Sequence, residues 1–285
     1  MKKKPALNPR KIFWKKGACS HAMFHLLNHE FETSLPDAER AADLLAGGIA
    51  QKGYQCGMLW GAALAAGAES YKRYGPGSTG TRAAIEVAGK LMHSFTKRTH
   101  QVNCSEISRV DWENRWQLAI YMLKTVLQGF IYSPCFNLMV KWTPEAAMAM
   151  RTGFDQAEAK DSPCISCASE LVRRSGGTEE EAMMVAGFAG GIGLSGNACG
   201  ALGAALWYRM LRWTSLNTGK TPDMFSNPEG RMLLRAFYIQ TDSEVMCSKI
   251  CGRVFQDAES HTEYISGGGC AEILAALQEA ISRPF

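Results

Sequence analysis

One pattern appears twice in the chain. Ala46-Gly47-Gly48-Ile49, Gly53 and Cys56-Gly57 recur 143 residues later as Ala189-Gly190-Gly191-Ile192, Gly196 and Cys199-Gly200. The register does not drift: Cys104-Ser105 follows Cys56 by 48 residues, and Cys247-Ser248 follows Cys199 by the same interval. A cysteine pattern held at a fixed offset reads as a duplicated, cysteine-built unit. It predicts two similar halves, residues 1–145 and 146–285, packed about a pseudo-two-fold axis like the protomers of a symmetric dimer. Each half is long enough to bury a core of its own.

Charge is uneven along the chain. Residues 1–145 hold 19 Lys and Arg against 11 Asp and Glu, and the remainder holds 12 against 16. Seven of the basic residues (Lys2, Lys3, Lys4, Arg10, Lys11, Lys15 and Lys16) precede the first acid, Glu30. Such an arm reads as a solvated tail or as a contact for an acidic redox partner protein; nucleic acid is not expected as a partner. Pro5, Asn8 and Pro9 follow the basic start where a secretory signal would need an apolar run, so a cytoplasmic location is expected. In a reducing compartment, ten patterned cysteines point to metal ligands or redox groups and not to structural disulfides. Residues 183–208 carry no charge, but Gly187, Gly190, Gly191, Gly193, Ser195, Gly196 and Asn197 interrupt them, so no membrane span is expected.

Local signals are helical throughout, and no alternating strand stands out; the fold class is all-α. Thr178 followed by Glu179, Glu180 and Glu181 forms a capping box opening a helix to about Ala189. Ser34-Leu35-Pro36-Asp37 opens another. Cys56 and Cys199 precede Ala-, Gly- and Leu-rich helices over 57–74 and 200–213. Further helices are expected at 82–97, 105–130, 143–158, 167–174, 229–240 and 270–281, and loops at 75–78 and 217–228.

Aligning the halves pairs Cys19 with Cys167, Cys56 with Cys199, Cys104 with Cys247 and, more loosely, Cys135 with Cys270. Cys164 and Cys251 are left over, near Cys167 and Cys247. Four thiolates per unit is the stoichiometry of an iron–sulfur cluster or a structural zinc. Spacings this long draw the ligands from separate helices.

The order Cys167, Gly190-Gly191, Cys199-Gly200-Ala201, Cys247, Cys270 resembles the C-GCAxxG-C-C family of probable redox proteins, a domain also found in split-Soret cytochromes. The first half resembles it more distantly, with Cys56-Gly57-Met58; the family's small residue stands as Gly61 and Ala204. The resemblance implies helical domains in tandem. Cys19, Cys56, Cys104 and Cys135 would bind one [4Fe-4S] or [2Fe-2S] centre, and Cys167, Cys199, Cys247 and Cys270 another, for electron transfer. It names no reaction, so the chain is not assigned as an enzyme.

Other readings stay open beside it. Cys164-x-x-Cys167 could serve a thiol–disulfide oxidoreductase, although Ala168 rules out covalent haem attachment there. A non-catalytic helical interaction protein with structural zinc is a third possibility, and so is a homo-oligomer. His21, His25 and His29 share one helix face, which reads as a polar face before it reads as a metal or haem site. Gly191-x-Gly193-x-x-Gly196 fits a dinucleotide fingerprint in letters only, since no strand precedes it; a helix–turn–helix corner is expected. The tryptophans read as core fillers, with Trp60 and Trp207 near enough to shield a cluster.

Overall fold

The computed structural model describes residues 5–127, 133–157, 160 and 162–285. Lys2, Lys3 and Lys4 of the basic arm, the end of the helix expected at 105–130 and residue 158 of the next lie outside the described residues.

The described residues are helical and form no strand. The first half builds α1 (Pro9–Lys16), α2 (Cys19–Glu30), α3 (Pro36–Ala41), α4 (Gly57–Tyr74), α5 (Ser78–Thr99), α6 (Cys104–Ser108), α7 (Arg115–Leu127) and α8 (Pro134–Asp155), the last running ten residues past the expected boundary at 145. The second builds α9 (Cys167–Arg174), α10 (Glu179–Met184), α11 (Gly200–Leu216), α12 (Pro228–Thr241), α13 (Cys247–Ile250), α14 (Ala258–Ser266) and α15 (Ala271–Ser282). After α1, every helix of the first half has a counterpart in the same order.

The start signals act as read. Thr178 caps α10 through Glu181 N–H to its Oγ1 at 3.2 Å, and Glu181 returns a carboxylate to Thr178 N–H at 2.7 Å. That helix stops at Met184 and passes into a 3-10 turn at 186–188, short of the expected Ala189. The helix expected over 105–130 is two, because Arg109 turns left-handed (φ 56°) after α6. α8 begins nine residues before the expected 143 and continues through Pro144, which cannot donate to the carbonyl four residues back.

The glycine-rich stretch expected as a helix–turn–helix corner does turn the chain between the 3-10 helix 186–188 and α11, but it and its first-half counterpart turn left-handed. Residues 47–51 and 190–194 each take five successive positive φ values, between 46° and 85°. Ile49, Ala50, Gln51, Ile192 and Leu194 thus sit in a region L-residues ordinarily avoid. The same backbone bonds hold both turns. Gly53 N–H donates to Gly47 O and Gly196 N–H to Gly190 O, each at 2.9 Å, while Ala50 and Gly193 N–H donate to Leu44 O and Gly187 O.

The halves do not bury separate cores. One apolar cluster runs from Phe13 to Ile281 and includes the wholly buried Trp60, Trp142 and Trp207. Packing is exchanged between halves: α4 lies on α10 and the 3-10 turn after it, and α11 lies on α3 and the 3-10 turn Ala42–Leu45. Gly67 of α4 meets the Met184 carbonyl so closely that an added Cβ would stand 2.2 Å from it. Trp60 packs edge-on against Phe188 of the other half at 4.7 Å, and Trp207 Nε1 donates to Ala38 O at 3.1 Å. Trp14 and Trp116 are exposed instead, at 61% and 81%.

Candidate redox site: two clusters of thiols

The left-handed turn ends in a short extended segment, and that segment aligns the middle cysteines of each set. Gln55 bridges Asn103 in antiparallel fashion, and Ala198 bridges Met246. Cys56 N–H donates to Val102 O and Cys199 N–H to Val245 O, both at 2.8 Å. In return Cys104 N–H donates to Tyr54 O at 2.6 Å and Cys247 N–H to Asn197 O at 2.7 Å. Cys56 and Cys104 are thereby fixed side by side, as are Cys199 and Cys247. This pairing is too short to show as sequence alternation.

The first cysteine of each set is brought in by α2 or α9. Gly61 lets α4 lie against α2, since a Cβ there would stand 2.2 Å from Ser20 O. Gly57 does the same for Cys19, whose Sγ would be 2.7 Å from a Cβ on it. The turns then supply donors: Gly47 N–H reaches Cys19 and Gly190 N–H reaches Cys167. The N-termini of α4 and α11 supply more, from Met58 and Leu59 to Cys56 and from Ala201 and Leu202 to Cys199. Backbone donors aimed at sulfur favour the thiolate, which is the metal-binding form.

In the first half, Cys19, Cys56, Cys104 and Cys135 line one cavity of about 180 Å³. Its other walls are largely apolar, with Phe13, Trp112, Tyr121 and Phe136 among them. Tyr121 OH donates to Cys135 and shares a 3.0 Å bond with Ser133. In the second half, Cys167, Cys199, Cys247 and Cys270 line one pocket too, beside Phe255, His261 and Tyr264. This pocket is closed down to about 10 Å³, about the room for one water. Aromatic cover comes from Trp112 and from Phe255, 143 positions later. Trp60 and Trp207, expected as shields, face the contact between halves.

Cys251, unassigned by the pairing of halves, sits inside the second pocket. Its Sγ lies 3.9 Å from that of Cys247 and 3.8 Å from that of Cys270. Two thiolates bound tetrahedrally to one zinc at about 2.3 Å stand about 3.8 Å apart. Among the described residues, however, no three His, Cys, Asp or Glu side chains are gathered closely enough to hold one ion as they stand. Cys164 is elsewhere, packed with Ile85, Ala189 and Ala258 near Arg82. Cys164 and Cys167, which could have formed a dithiol pair, therefore have different surroundings.

Burial governs the thiol energetics. It pushes Cys19 and Cys167 up to about 12 and Cys199 up to about 11, and it raises Cys56, Cys104 and Cys135 as well. The trio in the second pocket shares its protons. Cys247 and Cys270 both donate to Cys251, so the Cys251 thiol is held low and its two neighbours are raised.

All the thiols are free, and no acid lines either sulfur pocket. His261 was not singled out by sequence, having Leu118 as its first-half equivalent. Its Nδ1 lies 3.0 Å from Ile165 O and must carry the proton, which leaves Nε2 with a lone pair, buried and without a partner. Of the three helix-face histidines, His21 is engaged by Asp43 at 3.0 Å and His25 by Glu39 at 2.8 Å. The first bond ties α2 to the 3-10 turn Ala42–Leu45, and the second ties it to α3.

Thiols gathered from separate helices, with backbone donors on their sulfurs, define a helical redox protein. The chain belongs to the family described as "putative redox-active protein (C_GCAxxG_C_C)", matched over residues 18–172, just over half its length. The match holds Cys19, Cys56, Cys104 and Cys135, so it falls on the first-half set, although the second half resembles the motif more closely in letters. Neither the curated proteins nor the solved structures include a match to this chain. No helix among the described residues is long and apolar enough to cross a membrane.

Proposed function

We propose that the protein transfers electrons through iron–sulfur centres, one on Cys19, Cys56, Cys104 and Cys135 and one on Cys167, Cys199, Cys247 and Cys270. The observation carrying this reading is that both sets line a single pocket each, from four separate segments. The first pocket has the room and an all-sulfur donor set. The second fits by its donors and by the orphaned His261 Nε2, but its sulfurs must spread to admit more than one atom.

When bound, such a centre exchanges single electrons. The chain's own residues would hold the thiolates, dry them with Trp112 and Phe255, and donate to ligand sulfur from Gly47, Gly190, Tyr121 and Tyr264, the last to Cys270, which would set the potential. The basic residues of α1, beside the first cavity through Phe13 and Trp14, favour an acidic redox partner protein. A reducing compartment such as the cytoplasm suits ten unpaired cysteines.

The test is elemental. Anaerobically purified protein should contain iron and acid-labile sulfide, with a brown absorbance bleached by dithionite. Colourless protein carrying stoichiometric zinc would overturn the reading. Zinc confined to the second half is the second reading, favoured by the 3.8 and 3.9 Å sulfur separations.

A further inference from the structure

The second thiol cluster holds one sulfur more than its counterpart. The position equivalent to Cys251, 143 residues earlier, is Ser108, whose Oγ donates to Cys104 O at 2.7 Å and accepts from Trp112 Nε1 at 3.0 Å. A hydroxyl satisfied in this way has no redox role. Cys251 makes neither contact; it touches sulfur on two sides.

Of the thiols around it, Cys270 is the partner the structure offers. Cys251 and Cys270 are both half-buried, whereas Cys247 is 7% exposed and Cys167 and Cys199 are 6% exposed. Their sulfurs are 3.8 Å apart, and a disulfide bond of about 2.05 Å needs them to close by less than 2 Å. The backbone can yield on both sides. Gly267, Gly268 and Gly269 lead into Cys270, which itself holds a left-handed φ of 62°, and Gly252 follows Cys251.

We propose that Cys251 and Cys270 form a reversible disulfide, a two-electron redox site that adds Cys251 to the four-thiol pattern and shares Cys270 with it. The oxidant is a small organic disulfide, RSSR. Cys251 attacks one of its sulfurs as thiolate; the RS–SR bond breaks, and RS⁻ leaves and takes up the proton Cys251 gave up. Cys270, also as thiolate, then attacks the Cys251 sulfur, and the second RS⁻ departs with the proton from Cys270. Two thiols are oxidised to one disulfide, and RSSR is reduced to two RSH. Ligation of Cys270 by a metal centre takes it out of the pair, so the disulfide belongs to the centre-free protein. The proposal itself stands on the sulfur geometry and not on the iron–sulfur reading.

The test uses the full chain, reduced and stripped of metal with a chelator, then titrated with oxidised glutathione. Remaining thiols are alkylated and the peptides mapped by mass spectrometry. The expected result is a Cys251–Cys270 link formed before any other, with two alkylatable thiols lost and both restored by dithiothreitol. Cys251→Ser should abolish the link, and Cys164→Ser should leave it intact. A link joining Cys164 to Cys167 or Cys247 to Cys251 instead, or no link to Cys251, overturns the proposal. The wild-type map decides by itself if Cys251→Ser fails to fold. Iron without this disulfide sinks only the present proposal, and the disulfide without iron sinks only the electron-transfer reading.

Discussion

Cys56 and Cys199, 143 positions apart, are held by the same bond: each donates its N–H over 2.8 Å to a valine carbonyl, Val102 in one case and Val245 in the other. A sulfur positioned by backbone is positioned more stiffly than one left to a rotamer. The bridge behind each bond also carries the next thiol of the set, Cys104 or Cys247. The two proposed centres should accordingly respond to mutation alike. Cys56→Ser and Cys199→Ser should each remove about half of the bound iron, read by elemental analysis, because each removes one of the four thiolates of its own centre. Cys164→Ser should remove none; an equal loss there would mean that the ligand sets are misassigned.

Tyr121 and Tyr264 are also equivalent, with hydroxyls on the sulfurs of Cys135 and Cys270 respectively. A hydrogen bond to a ligating thiolate stabilises the more negative, reduced state. Tyr121→Phe should therefore lower the potential of the first centre and leave the second in place, and Tyr264→Phe should do the reverse. Optical redox titration of the two variants reads this directly. Unmoved potentials would mean the hydroxyls serve packing alone.

Gly61 tests the close approach of α4 to α2. A Cβ would stand 2.2 Å from Ser20 O, and backbone cannot swing aside as a side chain can. Gly61→Ala should cost about 1–3 kcal/mol in urea unfolding. It should also loosen Cys19 relative to Cys56. A variant as stable as the parent would show that α2 can retreat freely.

Glu39 sets an acid limit. Burial pushes its carboxyl up, but hydrogen bonds from His25 and Asn28 outweigh this and hold it below the ordinary value of 4.5. The folded chain thus binds this proton less readily than the unfolded chain. Its stabilising contribution is complete above about pH 4.5 and fades as pH falls through the lowered folded value. Glu39→Gln should flatten the acid limb of a stability–pH curve while costing about 1–3 kcal/mol at pH 7, where two partners lose a charge-assisted bond. An unchanged acid limb would place the acid sensitivity elsewhere.

Much of this fold could be read from the chain alone. α4 and α9 begin and end where the small-residue runs and charges place them, and the Thr178 capping box is local chemistry visible in four letters. The grouping of Cys19, Cys56, Cys104 and Cys135 was legible because a repeat holds spacing as well as residue type. What escaped was set by tertiary contacts. Ile49, Ala50 and Gln51 have no preference for positive φ, so a left-handed turn built from them leaves little trace in composition. Cys251 looked surplus because pairing the halves by cysteine spacing finds Ser108 opposite it. His261 showed nothing in sequence, since its unpartnered nitrogen is a matter of surroundings. Trp60 and Trp207 lie close to sulfur along the chain but point towards the other half.

The exchange of α4 and α11 between lobes bears on how this protein can be taken apart. Cutting it near residue 145 would not release two small working copies. Each piece would lose the neighbour that covers its glycine-lined helix and would present that bare flank to any other chain in reach. Because both flanks are joined in one polypeptide, dilution cannot separate them, and neither nest of sulfur depends on how much protein the solution contains.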